Sequence, residues 1–336
     1  MKLTVDCAFN LSDLIANAQS PVFNDLAFLI SRATKIQYLQ IPLNTLVSQT
    51  FNLQPTPDYP MAAISAFSDG LEVGSDAWFY ADPVHFVLQR DTFSLYEQAP
   101  LKLTAEDATT ILNTLNQHFF EDGFSFYQGN SGQWYLKISA ANQRFLPIKT
   151  FLLSAAINQD VQRLFPTGET QLQWRKVLNE GQMLLHDHPV NLAREKSGEV
   201  AVSSVWISAG GPLPTLVKDS VLEDVLLSNL PFYHGVASLA QKISLPFQEV
   251  ESVLHQKNNL SVRLSLDAES VIKPPQGYDS WWNFFLKELK ARAIRQLVLN
   301  IGLHNTTMIV EISPLGLYKF WRKPKPLVEL FMERKV

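Results

Sequence analysis

His186-Asp187-His188-Pro189-Val190-Asn191, with Arg194 three residues on and Ser208-Ala209-Gly210-Gly211 beyond it, gathers the residue types best suited to chemistry in this chain. Imidazoles and a carboxylate can bind a metal or carry a proton, and an arginine fork bonds phosphate or carboxylate in bidentate fashion. A backbone of small residues lets an anion approach closely. Spacing argues against the metal. On a helix His186 and His188 point about 200° apart and share no face. The candidate ligand-binding residues are therefore His188, Asn191, Arg194, Ser208, Gly210 and Gly211. A helix-terminus capping network is the competing reading of the first three, with His188 bonding a carbonyl or pairing with Asp187.

Three other groups invite a function and have a plainer explanation. Asp82-Pro83-Val84-His85 could pair an acid with a base, but an Asp and a His across a proline are common in turns. Tyr318-Lys319-Phe320-Trp321-Arg322-Lys323-Pro324-Lys325-Pro326 interleaves cations with aromatics, as nucleic-acid surfaces do, or forms a last strand with a basic, solvated edge. Trp281-Trp282-Asn283-Phe284-Phe285-Leu286 reads as a core helix, with a homodimer interface as the alternative. Cys7, the one cysteine, excludes an internal disulfide and a cysteine-rich metal site.

The order His188-Pro189-Val190-Asn191, Arg194, Val205-Trp206-Ile207, Ala209-Gly210-Gly211 resembles the archaeal-type cofactor-independent phosphoglycerate mutases. Leu101 to Asn116, the stretch from Trp134 to Ile138, Gly70 to Leu88, and Asn229 to Ile243 follow in a similar order. The resemblance implies an α/β fold with an alkaline-phosphatase-like core sheet and an inserted smaller α+β domain. It places the core in 1–80 and 166–336 and the insert, similar to a substrate-recognition domain, in 81–165. It also implies interconversion of 2- and 3-phosphoglycerate through a phosphoserine and two divalent metals.

Set against that implied machinery, the reactive parts are missing. The early metal-binding acids reduce to Asp6, followed by Cys7. The nucleophile loop corresponds to Pro42-Leu43-Asn44-Thr45, with an amide that cannot be phosphorylated where serine is expected. Arg90 is the one arginine kept in the 90–101 stretch, which also carries Glu97, and Ser208 replaces an arginine. The last metal-ligand motif is echoed by Gly302-Leu303-His304-Asn305-Thr306-Thr307, with leucine in the acid's place. Those residues also suit the turn of a hairpin. No catalytic residue and no metal ligand is assigned.

The elements that must position these groups follow from local patterns. Pro21 opens a helix, and 54–60 is a loop rich in proline. Thr104 caps a helix whose stripe is Ala108, Ile111, Leu112, Leu115 and Phe119. Val84–Leu88 and Thr92–Tyr96 suggest paired strands, and Trp134–Ile138 alternates as a half-buried strand. A helix from about Leu172 ends near His186, and Val202–Ile207 is a strand running into a glycine loop. Helices are predicted at Phe232–Ile243 and Trp281–Ala293, and strands at Leu297–Ile301 and Met308–Ile312.

Hydrophobic content of 46% with 18% charged residues predicts a folded globular chain, and a net charge of −4 gives no electrostatic case for nucleic acid. The N-terminus does not read as a signal peptide, and no apolar run reaches the ~20 residues of a membrane span. A bacterial cytoplasmic location is the expectation, with no membrane or nucleic-acid partner. Together these readings favour a mutase-like protein that has lost its chemistry and binds a small phosphorylated metabolite or regulates. The alternatives are an active metal-dependent phosphotransfer enzyme with a rearranged site, using manganese or magnesium, and a protein-interaction module. No cofactor is expected under the favoured reading.

Overall fold

The computed structural model describes residues 1–9, 21–89, 92–96, 100–142, 144–157, 159–216, 223–256, 260–271, 273–303, 305–319 and 321–332. The chain forms an α/β fold that divides into two compact units, one of Met1–Asn52 with Leu216–Val336 and one of Leu53–Thr215. The second unit extends on both sides of the 81–165 stretch expected as an insert.

The first unit is built on a mixed seven-stranded sheet. Its strands are β1 (Lys2–Phe9), β2 (Lys35–Leu39), β9 (Val225–Leu227), β10 (Ile243–Leu245), β11 (Ser261–Leu266), β12 (Gln296–Leu303) and β13 (Thr306–Ile312), in the order β10-β9-β11-β1-β12-β13-β2. The run from β10 to β12 is parallel, whereas β13 pairs antiparallel with β12 and with β2. A two-residue side-chain period sends Leu3, Val5, Cys7, Val262, Leu264, Leu297, Leu299 and Ile301 to one face, all essentially buried. Trp281, Trp282, Phe284 and Phe285 from the Trp281–Lys290 helix belong to this core, with Leu26, Leu29 and Ile30 from the Pro21–Ser31 helix. The aromatic helix is thus core rather than an exposed dimer face. Ser280 caps its start by accepting from Asn283 N–H at 3.0 Å.

The second unit carries the antiparallel sheet β6-β7-β3-β8, formed by β3 (Ala77–Val84), β6 (Phe124–Gln128), β7 (Trp134–Ile138) and β8 (Ser204–Gly211), and a hairpin of β4 (Phe86–Gln89) with β5 (Thr92–Leu95). One side of the sheet packs on the capped Ala105–His118 helix and on the Gln171–His186 helix, around Trp174. The Trp174 ring stacks on Phe124 at 5.6 Å, and its Nε1–H donates to Phe145 O at 2.9 Å.

Several elements depart from the local pattern. The helix expected over Phe232–Ile243 runs from Pro231 to Leu239, because Gln241 adopts a left-handed φ of 56° and Lys242 N–H turns back to Ala237 O. The chain from Ile243 then becomes β10. The basic segment expected as a last strand opens instead with a 3-10 turn, Pro314–Tyr318, and Lys319 Nζ and Arg322 Nη1 both donate to Ala33 O. No helix among the described residues is long and apolar enough to cross a membrane.

Candidate functional site

The second face of the parallel sheet carries polar groups where a doubly buried sheet would ordinarily carry apolar ones. Thr4 aligns with Arg263, and Asp6 aligns with Ser265 on one side and Asn300 on the other, so all five point to one face. All five are buried. Asp6 accepts from Arg263 Nη1 at 3.2 and 2.9 Å, from Asn300 Nδ2 at 2.7 Å and from the Tyr233 hydroxyl at 3.0 Å. Arg263 Nη2 donates to Glu223 Oε1 at 3.0 Å, and the Phe51 ring lies 5.1 Å from the guanidinium carbon.

Burial works against the Arg263 charge, but the facing Asp6 and Glu223 carboxylates more than offset it and push its pKa up. Burial, then the Asp6 charge, also raises the Tyr233 phenol, so Tyr233 serves Asp6 as a neutral donor. The same two causes raise the Cys7 thiol, which removes it as a nucleophile. Glu223 Oε2 and Arg263 Nε are buried without a partner among the described residues.

The two-metal, phosphoserine chemistry implied by the sequence resemblance does not fit this arrangement. Asp6, the one acid available at the start of the chain, already has both oxygens engaged by a cation and two neutral donors. Asn44 and Thr45 sit on the Leu43–Thr50 helix, where Leu43, Val47 and the following Phe51 are buried. Leu43 lies so close over β12 that a Cβ on Gly302 would be 2.7 Å from its own Cβ. Apolar side chains, not acids, occupy this part of the sheet. Among the described residues no group of three or more His, Cys, Asp or Glu side chains could hold a metal. Arg90, Glu97 and His304 lie outside the described residues, although β12 and β13 do form the hairpin on either side of His304.

In the second unit, His188, Asn191 and Arg194 fall on one short helix, Pro189–Lys196, with His188 at its start and Arg194 in its last turn. His188 is its N-cap: Nδ1 accepts from Val190 N–H at 3.3 Å, and Nε2 meets the Thr114 hydroxyl at 3.0 Å. Burial lowers its pKa. Asn191 is fully engaged, donating to Leu185 O at 2.7 Å and Val202 O at 2.8 Å and accepting from Val202 N–H at 2.8 Å. Arg194 donates through Nε to Val200 O at 2.9 Å and pairs with Glu199 at 2.9 Å. Asn191 ties the end of one helix to the approach of β8, Arg194 holds the same approach at Val200, and His188 joins the helix start to Thr114. His186 and Asp187, both largely exposed, do not join them.

The glycine segment is not a loop. Ser208, Gly210 and Gly211 are part of β8, and a bulge lies where Trp78 pairs with Gly211 but Tyr80 with Ser208. Ala209 adopts a left-handed φ of 55° at that bulge. Its N–H donates to Thr150 Oγ1 at 3.0 Å, and the Asp58 carboxylate accepts from Thr150 and from the Gly210 backbone. An internal carboxylate and the Thr150 hydroxyl therefore occupy the amides of Gly210 and Ala209, where a phosphate was expected. Gly210 is required for packing, since a Cβ there would be 1.8 Å from the Phe79 ring. Ser208 Oγ is buried and has no partner among the described residues.

Asp82 and His85 are not brought together. Asp82 Oδ1 accepts from Gln133 Nε2 at 2.7 Å, whereas His85 Nδ1 meets Ala201 O at 2.9 Å. Burial raises the Asp82 carboxyl to about 6, against the hydrogen bond from Gln133. The Arg263–Asp6–Asn300 network escaped the sequence reading, although single polar residues inside Val262-Arg263-Leu264 and Leu299-Asn300-Ile301 were a signal for it.

No protein-family profile and no curated protein sequence matches the chain. Among solved structures it is similar to the cofactor-independent phosphoglycerate mutase of Thermoplasma acidophilum, at 14% identity and a TM-score of 0.37, over 93% of this chain and 89% of that one. It is also similar to the PH0037 protein of Pyrococcus horikoshii, at 14% identity and a TM-score of 0.45, over 93% of this chain and 87% of that one. Both are distant structural likenesses.

Proposed function

We propose that this chain is a phosphoglycerate-mutase-like protein, on an alkaline-phosphatase-like core with an inserted domain, that has lost the mutase chemistry. It works as a small-ligand-binding or regulatory protein. The order of the His188-Pro189-Val190-Asn191, Arg194 and Ala209-Gly210-Gly211 elements supports the ancestry. One observation carries the loss: the Asp6 carboxylate is saturated by Arg263, Asn300 and Tyr233. A guanidinium supplies the positive charge there, and it cannot polarise a phosphoryl oxygen as a Lewis acid or generate an ionised serine.

The test is direct. Purified protein incubated with 3-phosphoglycerate and manganese or magnesium forms no 2-phosphoglycerate, and elemental analysis finds no stoichiometric divalent metal carried through purification. Metal-dependent turnover that a serine or threonine substitution abolishes would overturn the proposal.

A further inference from the structure

We infer that a cleft in the second unit, between the β4–β5 hairpin and the Gln171–His186 helix, binds a planar ring carrying a phosphate, of the size of a nucleoside monophosphate. It encloses about 670 Å³, within the ordinary range of small-molecule sites. The inference deepens the small-ligand reading by naming a ligand class, but it uses none of the residues on which the loss of mutase chemistry rests.

The cleft has an apolar half and a cationic half. Phe86 and Phe165 pack with ring centroids 6.1 Å apart, and Phe93 on the neighbouring strand is 38% exposed. Aromatic side chains lining a cleft suit the stacking of a planar ring.

The polar half comes from one helical face. Arg175, Asn179 and Gln182 recur at the i, i+4 and i+7 spacing that aligns side chains, and all three line the cleft. Trp174, Val177, Gly181 and Leu185 of the same helix are buried and fix that face in place. Arg163 approaches from the Val161–Leu164 turn, steered by Asp160 at 3.5 Å, and Asp160 also caps that turn. Arg175 makes no ion pair among the described residues. Two guanidiniums against one carboxylate leave the cleft positive in a chain whose net charge is −4. Fork-shaped donors match phosphate oxygens, while the Asn179 and Gln182 amides can both donate to and accept from a ring edge.

The experiment titrates the full chain by calorimetry with adenosine, guanosine, cytidine and uridine monophosphates, and in parallel with adenosine, ribose 5-phosphate and inorganic phosphate. Saturable binding is expected for at least one nucleoside monophosphate. Arg175→Ala should weaken it about tenfold, and Arg163→Ala/Arg175→Ala together should abolish it. Both arginines are exposed, so the variants should melt with the parent protein, and Asn179→Leu gives an uncharged check on the same face. Absence of binding by all four nucleotides overturns the inference, as does binding unchanged in the double variant. Ribose 5-phosphate, phosphate or adenosine binding as tightly as the nucleotide also overturns it. Mutase turnover would leave this result untouched, and a flat titration would leave the loss of mutase chemistry untouched.

Discussion

Asp6 accepts from Arg263 Nη1 at 2.9 Å although the two are out of step in the sheet, Arg263 standing level with Thr4 on the neighbouring strand. The pair is a diagonal on one face, with Asn300 completing it from the strand on the other side of β1. Both side chains are almost fully buried, and Glu223 adds a second carboxylate to the same guanidinium.

Removing the cation alone should be severe. Arg263→Met leaves Asp6 and Glu223 buried without their counter-charge, and a loss of about 3–5 kcal/mol is expected in urea unfolding at neutral pH. Combining it with Asp6→Asn and Glu223→Gln should recover much of that loss. If the triple variant is less stable than Arg263→Met, charge imbalance is not the cause.

Gly210→Ala tests whether the glycine segment is packing or a ligand cradle. The added methyl would meet the Phe79 ring at 1.8 Å, and Phe79 is itself held in the core. A drop of about 1–3 kcal/mol is expected from overpacking, with partial recovery when Phe79→Leu is added. An unchanged melting temperature would count against the packing role.

Asn191→Ala should act on stability through three buried backbone groups, Leu185 O, Val202 O and Val202 N–H, that lose their partner together. About 3 kcal/mol is expected, because unsatisfied buried groups bear their full desolvation penalty. Asn191→Asp should be worse than Asn191→Gly is on propensity grounds alone, since a carboxylate would face two carbonyl oxygens. Thermal melts of the three proteins give the ranking.

Asp82 should make the protein more stable in mild acid than at neutral pH. Its native carboxyl is raised by burial to about 6, against about 3.9 in an unfolded chain. Between those values the native state holds a proton that the unfolded state has released, so stability from this group rises as pH falls from 7 toward 4. Above the native value the penalty is fully present, about 3 kcal/mol for a gap of about two pH units. Asp82→Asn, which can still accept from Gln133, should stabilise the protein at pH 7 and flatten that part of the profile. A profile identical to the parent's would remove Asp82 as its source.

How much of this was readable in advance depends on distance along the chain. The Thr104 cap, the stripe from Ala108 to Phe119, the β12–β13 hairpin and the stop before Pro189 are set by neighbours within a few turns, and pattern reached them. The glycine segment misled because glycine marks a loop locally. It became a strand with a bulge only when Phe79 took the space above Gly210.

The chain's own order of residues was sufficient for its capped and striped helix, its β12–β13 hairpin, and the absence of a serine at Asn44 and of an acid at Leu303. It could not decide what Asp6 does. Asp6 and Arg263 are 257 positions apart, and Asn300 is 294 positions from Asp6. Only parallel pairing of β1 with β11 and β12 puts the three on one face. Once there, low polarity and fixed geometry make a carboxylate, a side chain of metal-binding type, one half of an internal ion pair.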